Sequence, residues 1–472
     1  MNTPISLCFV RPIGTLCLCL WLAGCATISR DGGFSAVESI TKDRIGKDVK
    51  WARTDAEQET ITKRVAELLS KPLSVDDAIQ IALLNNRGLQ ADFAELGIAE
   101  ADMVSASRLP NPGFSFVRST RGHEIEIERG LHFNFARLLA LPLTVKMESQ
   151  RFELAKGSAA TAAVLLAGET RKAYFQALAA EETVRYMRKV RDVAESSAEL
   201  ARRMAAVGNW SRLQQAREQG FYADAALNVA RAEQARVQSR EALMRLLGLW
   251  GAQTGYVLPE RLPDLPKSQE DQPDIEQRAM RTRLDVAGAR MSAEAVAANL
   301  GLSKATRFIN VLEIGAFREV SNEAPVRRGY EISLELPLFD WGTSRVAKAE
   351  ALYMQAVNRA AETAVNARSE VRESYQNYRV TYDIAKHVRD EIVPIRKRIA
   401  DENLLRYNGM LIGVFDLLAD ARSQIGSVNS YIEALRDFWL AESELQMAMI
   451  GKPGGSDMPR AMMSGESAAG AH

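Results

Sequence analysis

Cysteine is nearly absent and confined to one end of the chain. Cys8, Cys17, Cys19 and Cys25 are the only four, and all lie within the first 25 of 472 residues. A chain processed at Cys25 would keep no free thiol. That excludes a disulfide framework, a thiolate metal site and a cysteine nucleophile. Histidine is equally scarce: His123, His132, His387 and His472 show no metal-ligand spacing. Lys plus Arg balances Asp plus Glu at 60 each, so the basic excess of a nucleic-acid binder is missing. There is no phosphate-cradling glycine loop and no nucleophile elbow. No catalytic residue, metal or cofactor is therefore expected, beyond lipid on Cys25. Aromatics make up only 7%. Past the first 25 residues, no apolar run is long enough for a membrane helix, which needs about 20 residues. Any crossing of a bilayer must be made by strands in a closed barrel.

What is present begins with an export signal at 1–24. Arg11 precedes a short apolar run over 13–22, too short to span a bilayer in the mature protein. The run ends in Leu22-Ala23-Gly24-Cys25, small residues before a cysteine that resemble the bacterial lipobox. By that resemblance Cys25 carries lipid, and Ala26, rather than an aspartate, favours sorting to the outer membrane. Several buried acyl chains make such an anchor stable, at roughly 0.8 kcal/mol per CH₂.

Behind the signal the chain repeats itself. Residues 25–72 form a polar tether and equatorial segment, with a short helix over 54–70. The first repeat, 73–250, opens with a helix over 75–109, capped by Ser74 with Asp76 and Asp77 in its first turn. Pro110-Asn111-Pro112-Gly113 stops it. The period then becomes two, predicting strands at 113–120 and 124–137 ended by Leu141-Pro142-Leu143. A helix over 144–207 follows, roughly 95 Å at 1.5 Å per residue, which needs a lateral partner. Gly208-Asn209-Trp210-Ser211 turns the chain into a return helix over 212–247. A proline-rich linker occupies 251–273. The second repeat, 274–451, has a helix over 274–306, strands at 308–317 and 328–337, a helix over 343–407, a turn at 409–413 and a return helix to 450. The tail, 452–472, is small, polar and disordered in character. The class is mainly α with a small β part. Apolar positions such as Val346, Ala349, Tyr353, Ala356 and Ala360 recur every three or four residues, a coiled-coil seam of small side chains.

The ordered set resembles the TolC-type outer-membrane factors, in their lipoprotein branch, over about 73–450. Its marks are the duplicated helix–hairpin–helix order, the paired Leu-Pro-Leu segments, Pro337-Leu338-Phe339-Asp340-Trp341-Gly342, Arg406-Tyr407-Asn408-Gly409 and Asp416-Leu417-Leu418-Ala419. The resemblance implies a homotrimer in which each subunit gives four strands to a twelve-stranded transmembrane barrel. The helices would form a periplasmic α-barrel that meets an adaptor protein and an inner-membrane transporter. It implies a passive exit duct without enzymatic activity, embedded in outer-membrane lipid, for heavy-metal, copper or drug efflux. Docking at the helical tips would involve Gly208, Asn209, Trp210, Leu213, Gly409, Gly413, Leu417 and Leu418. Asp416 and Asp420 would narrow the pore, with Arg406 or Arg422 as latch partners. A plainer reading makes these charges solvated helix pairs worth a few tenths of a kcal/mol. Glu124, Glu126 and Glu128, and Glu331, Ser333 and Glu335, alternate as a wet lumen requires; the first three also suit a loop edge. Met458, Met462 and Met463 have the soft thioethers that suit Cu(I). The competing architecture is a periplasmic coiled-coil scaffold without a pore.

Overall fold

The computed structural model describes residues 27–269, 271–305, 312–334, 339 and 341–451. The signal at 1–24, Cys25, Leu336-Pro337-Leu338, Glu335, Asp340 and the tail at 452–472 with its three methionines lie outside the described residues. The chain divides into two units. One takes 93–159, 287–362 and the residues up to 37; the other takes 38–92, 160–286 and the residues from 363 onward.

The elements run in the duplicated order. They are α1 (Phe34–Ile45), α2 (Asp55–Leu69), α3 (Val75–Asn85), α4 (Arg87–Ser107), β1 (Gly113–Arg121), β2 (Glu124–Asn134), α5 (Phe135–Ala206) and α6 (Arg212–Leu247). Then come α7 (Ile275–Thr282), α8 (Leu284–Ala305), β3 (Leu312–Ser321), β4 (Arg327–Leu334), α9 (Thr343–His387), α10 (Val393–Asn408) and α11 (Val414–Ile450). Local chemistry sets most starts. The Thr54 hydroxyl accepts from Glu57 N–H and Glu57 reaches back to Thr54 N–H, a reciprocal cap. Ser211 and Gln214 cap α6 in the same reciprocal way, while at α3 the Ser74 hydroxyl accepts from Asp77 N–H without the return bond.

The first unit holds the sheet, in the order β1-β2-β3-β4 with every neighbour antiparallel. Near the chain start, Phe34 meets Phe93 edge-on at 4.9 Å, and Ser29 N–H donates to buried Glu100 at 2.8 Å. The second unit holds the main core. Phe175, Leu178, Leu243, Leu247 and Phe438 are essentially inaccessible, with Ile81 and Leu73 packed among them. Phe438 contacts Tyr382 and Trp439 edge-on, and Phe175 stacks on Trp439 at 5.1 Å. These aromatics are the large-area anchors of an otherwise alanine-rich helical packing.

Several boundaries differ from the sequence reading, each for a local reason. The helix expected over 75–109 breaks at Asn86, whose ψ is 120°. The one expected over 274–306 breaks at the corresponding residue, Arg283, with ψ 128°. Both breaks let a side chain reach the return helix of its own half. Asn86 Nδ2 donates to Leu246 O at 2.9 Å, and Arg283 Nη1 donates to Ala448 O at 2.9 Å. The last carbonyls of α6 and α11, which lack intrahelical partners, are satisfied there. Gly248 (φ +65°) and Gly451 (φ +112°) then leave each return helix. A Cβ on Gly248 would stand 2.7 Å from Asn85 O, and on Gly451 2.6 Å from the Asp285 carboxylate.

The strand expected to reach 137 ends at Asn134, whose Oδ1 accepts from Arg137 N–H and caps α5. Leu141-Pro142-Leu143 thus lies inside a helix and does not end a strand. The long helix expected unbroken over 343–407 contains a π-helical turn at Val388–Ile392 ahead of Pro394. Proline has no N–H for the usual ladder, and the widened turn absorbs the loss. The tether contains α1 in addition to the expected short helix. The linker is no loose tether either: Tyr256, Leu258, Leu262 and Leu265 are buried, and Trp439 Nε1 donates to Pro263 O at 2.9 Å.

Burial also shapes acid response. Glu442 on α11 faces Arg171 at 3.1 Å, yet burial outweighs that cation and raises its carboxyl above the usual range. A raised folded-state pKa favours the protonated form. Its stabilisation is complete below about pH 4.3, the unfolded value, and is lost as pH rises through the folded value. The stability difference between wild type and Glu442→Gln should therefore change across that window. Thermal melting in a pH series checks this, and a constant difference would contradict it.

Candidate functional site

The sheet sorts its side chains by register. Directly opposed residues share a face, so Phe114, Leu131, Ala316 and Tyr330 form one row, and Phe133, Ile314 and Ile332 the next. Ile125, Ile127, Val320 and Leu334 belong to the same face. It is exposed: Tyr330 keeps 80% of its surface, Phe114 65% and Ile332 60%. A face this apolar and open is uncommon on a water-soluble monomer.

The other face is polar. Glu124, Glu126 and Glu128 alternate along β2 within the strand, and so are not in a loop. They meet Glu319 and Ser321 across the β2–β3 pairing, while Glu313 and Glu331 continue the face. Ser119 Oγ donates to Glu126 at 3.2 Å, and Arg327 pairs with Glu319 at 3.4 Å. Glycine makes room on this face. A Cβ on Gly329 would lie 2.6 Å from the Phe317 ring, and one on Gly113 would collide with the His132 imidazole. The sheet's outer strands, β1 and β4, have no further strand beside them among the described residues.

The second candidate region is the pair of helix reversals. In the first, Gly208 takes φ +79° and Ser211 starts α6. Asn209 is exposed, Trp210 half-buried, and Leu213 keeps 62% of its surface. In the second, the residue that turns left-handed is Met410 (φ +59°), whereas Gly409 and Gly413 have ordinary negative φ. The left-handed position of this reversal is thus not a glycine. Leu417 and Leu418 are half-buried, while Met410 and Leu411 project into solvent.

The charged residues predicted near these reversals are placed differently from one another. Asp416 is exposed in the first turn of α11, where the helix dipole favours an anion. Asp420 accepts from Asn403 Nδ2 across the hairpin. Arg406 faces Glu402 one turn away at 3.8 Å. Arg422 bonds at 2.5 Å to Glu218, a carboxylate with no accessible surface, and stacks over Phe221 at 4.4 Å. Ser197 Oγ donates 2.6 Å to the other Glu218 oxygen. The two predicted latch arginines therefore pair with residues other than Asp416 and Asp420. Glu218 was missed in sequence because a glutamate on a helix is ordinarily a surface residue. Only its meeting with Arg422, 204 positions away, reveals its role of joining α6 to α11. Glu218→Ala should cost about 1–3 kcal/mol, discounted because Arg422 regains some water. It should also speed amide exchange at the ends of α6 and α11; unchanged exchange would contradict this.

Among the described residues no helix is long and apolar enough to cross a membrane, and no cluster of His, Asp or Glu could hold a metal ion. No protein-family model matches the chain. It is 23% identical, over 278 residues, to the cobalt-zinc-cadmium resistance protein CzcC of Cupriavidus metallidurans. That match covers 57% of this chain and spans 64% of the length of that relative. In fold it is similar to CusC, whose crystal structures review conformational changes accompanying folding and transmembrane channel formation, with a TM-score of 0.66 at 17% identity over 80% of this chain and 92% of that one. The Campylobacter jejuni outer membrane channel CmeC gives a TM-score of 0.66 at 16% identity, over 87% of this chain and 91% of that one.

Proposed function

We propose that this chain, which has the TolC-like outer-membrane-factor fold, is the outer-membrane exit duct of a tripartite efflux system. The observation that carries the reading is the sorting of four strands into one exposed apolar face and one acidic face, with both outer edges open. Open edges are not viable in hydrocarbon, where every backbone N–H and C=O needs a partner. Other copies of the sheet supply those partners. Three copies close a barrel whose apolar face meets lipid and whose glutamates line water.

The chain does no chemistry on its cargo in this reading. The inner-membrane transporter supplies energy, and an adaptor meets the helix reversals through exposed apolar residues such as Leu213. Asp416, exposed and without a partner among the described residues, is the better candidate for a constriction. Three converging carboxylates would repel one another and select cations. Asp420, held by Asn403, is the weaker one. Lipid on Cys25 adds an anchor. The name of the CzcC relative and the acidic polar face favour metal cations as cargo over neutral drugs.

The test is the mass of the protein extracted in mild detergent from isolated outer membranes, followed by conductance in planar bilayers. A trimer that conducts, with altered selectivity in Asp416→Ala, is expected. A monomer, or recovery from the inner membrane, would overturn the duct and favour a scaffold without a pore.

A further inference from the structure

The apolar face of the sheet carries a row of positive charge. Arg129 on β2 lies opposite Arg318 on β3, and Arg318 lies opposite Arg328 on β4. Phe116 completes the row on β1, opposite Arg129. Arg118 stands one row nearer the hairpin tips, opposite Ile127. No aspartate or glutamate occupies this face among the described residues. All six described strand glutamates, Glu124, Glu126, Glu128, Glu313, Glu319 and Glu331, are on the other side.

These arginines are exposed, and none of the four side chains makes a hydrogen bond or ion pair among the described residues. Arg327, one residue away but facing the acidic side, is paired with Glu319. Strands are spaced about 4.8 Å apart, so the backbones of the three arginines lie within about 10 Å of one another. Like charges directly opposite repel. Arginine facing lipid is also unfavourable at the bilayer centre and close to neutral only at the interface. Both penalties ease if the long side chains reach from this mid-strand row to anions at headgroup level. Guanidinium forks bind phosphate oxygens in pairs. The aromatic rings of Phe116 and Tyr330, in the same row and the next, suit the boundary between headgroup and hydrocarbon.

We infer that Arg129, Arg318 and Arg328 form a binding row for the phosphate headgroups of anionic membrane lipids on the outer wall of the barrel. The inference rests on the proposed duct, which places this face against lipid. The row would fix the height of the barrel in the membrane and retain a shell of anionic lipid.

The test uses the full-length protein purified in mild detergent. It is mixed with phosphatidylcholine vesicles, or with vesicles of equal parts phosphatidylcholine and phosphatidylglycerol, and re-extracted. Bound lipid is counted by native mass spectrometry. The wild type should retain phosphatidylglycerol in preference by at least about tenfold, as expected for several charge-assisted hydrogen bonds. The Arg129→Gln, Arg318→Gln, Arg328→Gln triple variant should lose that preference, and the corresponding lysine triple should keep part of it. Arg318→Gln alone, at the centre of the row, should weaken it several-fold if the triple variant does not assemble. A wild type that retains both lipids equally, or a glutamine triple that keeps the preference, would overturn the inference. Displacement of the lipid by an equal concentration of inorganic phosphate would also overturn it, pointing to a free-anion site. Trimer mass and conductance on the same samples separate the two readings. Conducting trimers without lipid preference sink only this inference, whereas absence of trimers sinks the duct.

Discussion

Arg283→Ala should destabilise the helical unit by about 3–5 kcal/mol, the cost of breaking a buried ionic network from one side. The Arg283 side chain is 1% exposed and that of Asp285 6%. The guanidinium bonds Asp285 at 2.5 and 2.9 Å and Glu370 at 2.8 Å, and also donates to Ala448 O. Removing it leaves a buried carboxylate without its cation and an unsatisfied helix-end carbonyl. The fold contains its own control. Asn86 holds the matching position in the first half with neutral hydrogen bonds alone, so Asn86→Ala should cost only about 1–2 kcal/mol. Denaturant midpoints followed by far-ultraviolet circular dichroism compare the two. Equal losses would mean that the ionic network adds nothing to the helix-end bond. A double-mutant cycle of Arg283→Ala with Asp285→Ala should recover a coupling of at least about 1 kcal/mol, since the residues share one network.

The second large effect is on ion selectivity. Replacing Glu126, Glu128 and Glu319 with glutamine removes three negative charges from one patch of the polar face, where these residues meet across β2 and β3. Glutamine keeps size and hydrogen-bonding capacity, so the strands should still pair. A channel lined by one sign of charge concentrates counter-ions by about tenfold or more. The cation preference of the reconstituted protein should fall by a comparable factor, read as the reversal potential in a salt gradient. Arg327, left without Glu319, would push it further toward anions. An unchanged reversal potential would place the selecting charges elsewhere, with Asp416 the next to test. A change only in Asp416→Ala would move selectivity to the helix reversals.

The order of helices and strands was legible because its signals are local. Ser74, Ser211, Gly208 and Gly248 start and stop helices through their own backbone and cap chemistry. Alternation along β2 and β4 needs only the period of the pleat. The duplication was visible because both halves spell the same order. The misreadings arose where a signal depends on a distant partner or competes with a second one. Leu-Pro-Leu looked like a stop, but Asn134 had already begun the helix. Pro394 was compatible with a long helix only through a π-helical turn. Asn86 and Arg283 look like ordinary helix residues until the ends of α6 and α11 arrive beside them.

By itself, then, the sequence determined the duplicated order of elements, the helix reversals and the presence of amphipathic strands. Each follows from periodicity, capping or composition within a few residues. Only the tertiary structure decided what faces what. Register across β2 and β3, whose paired residues lie nearly 200 positions apart, lines up Arg129 with Arg318, the β3–β4 pairing adds Arg328 on the same face, and the glutamates gather on the other. Packing of α6 against α11 buries Glu218 beside Arg422. Pairings of this kind depend on the closure of long loops, and no local pattern encodes which residues will meet.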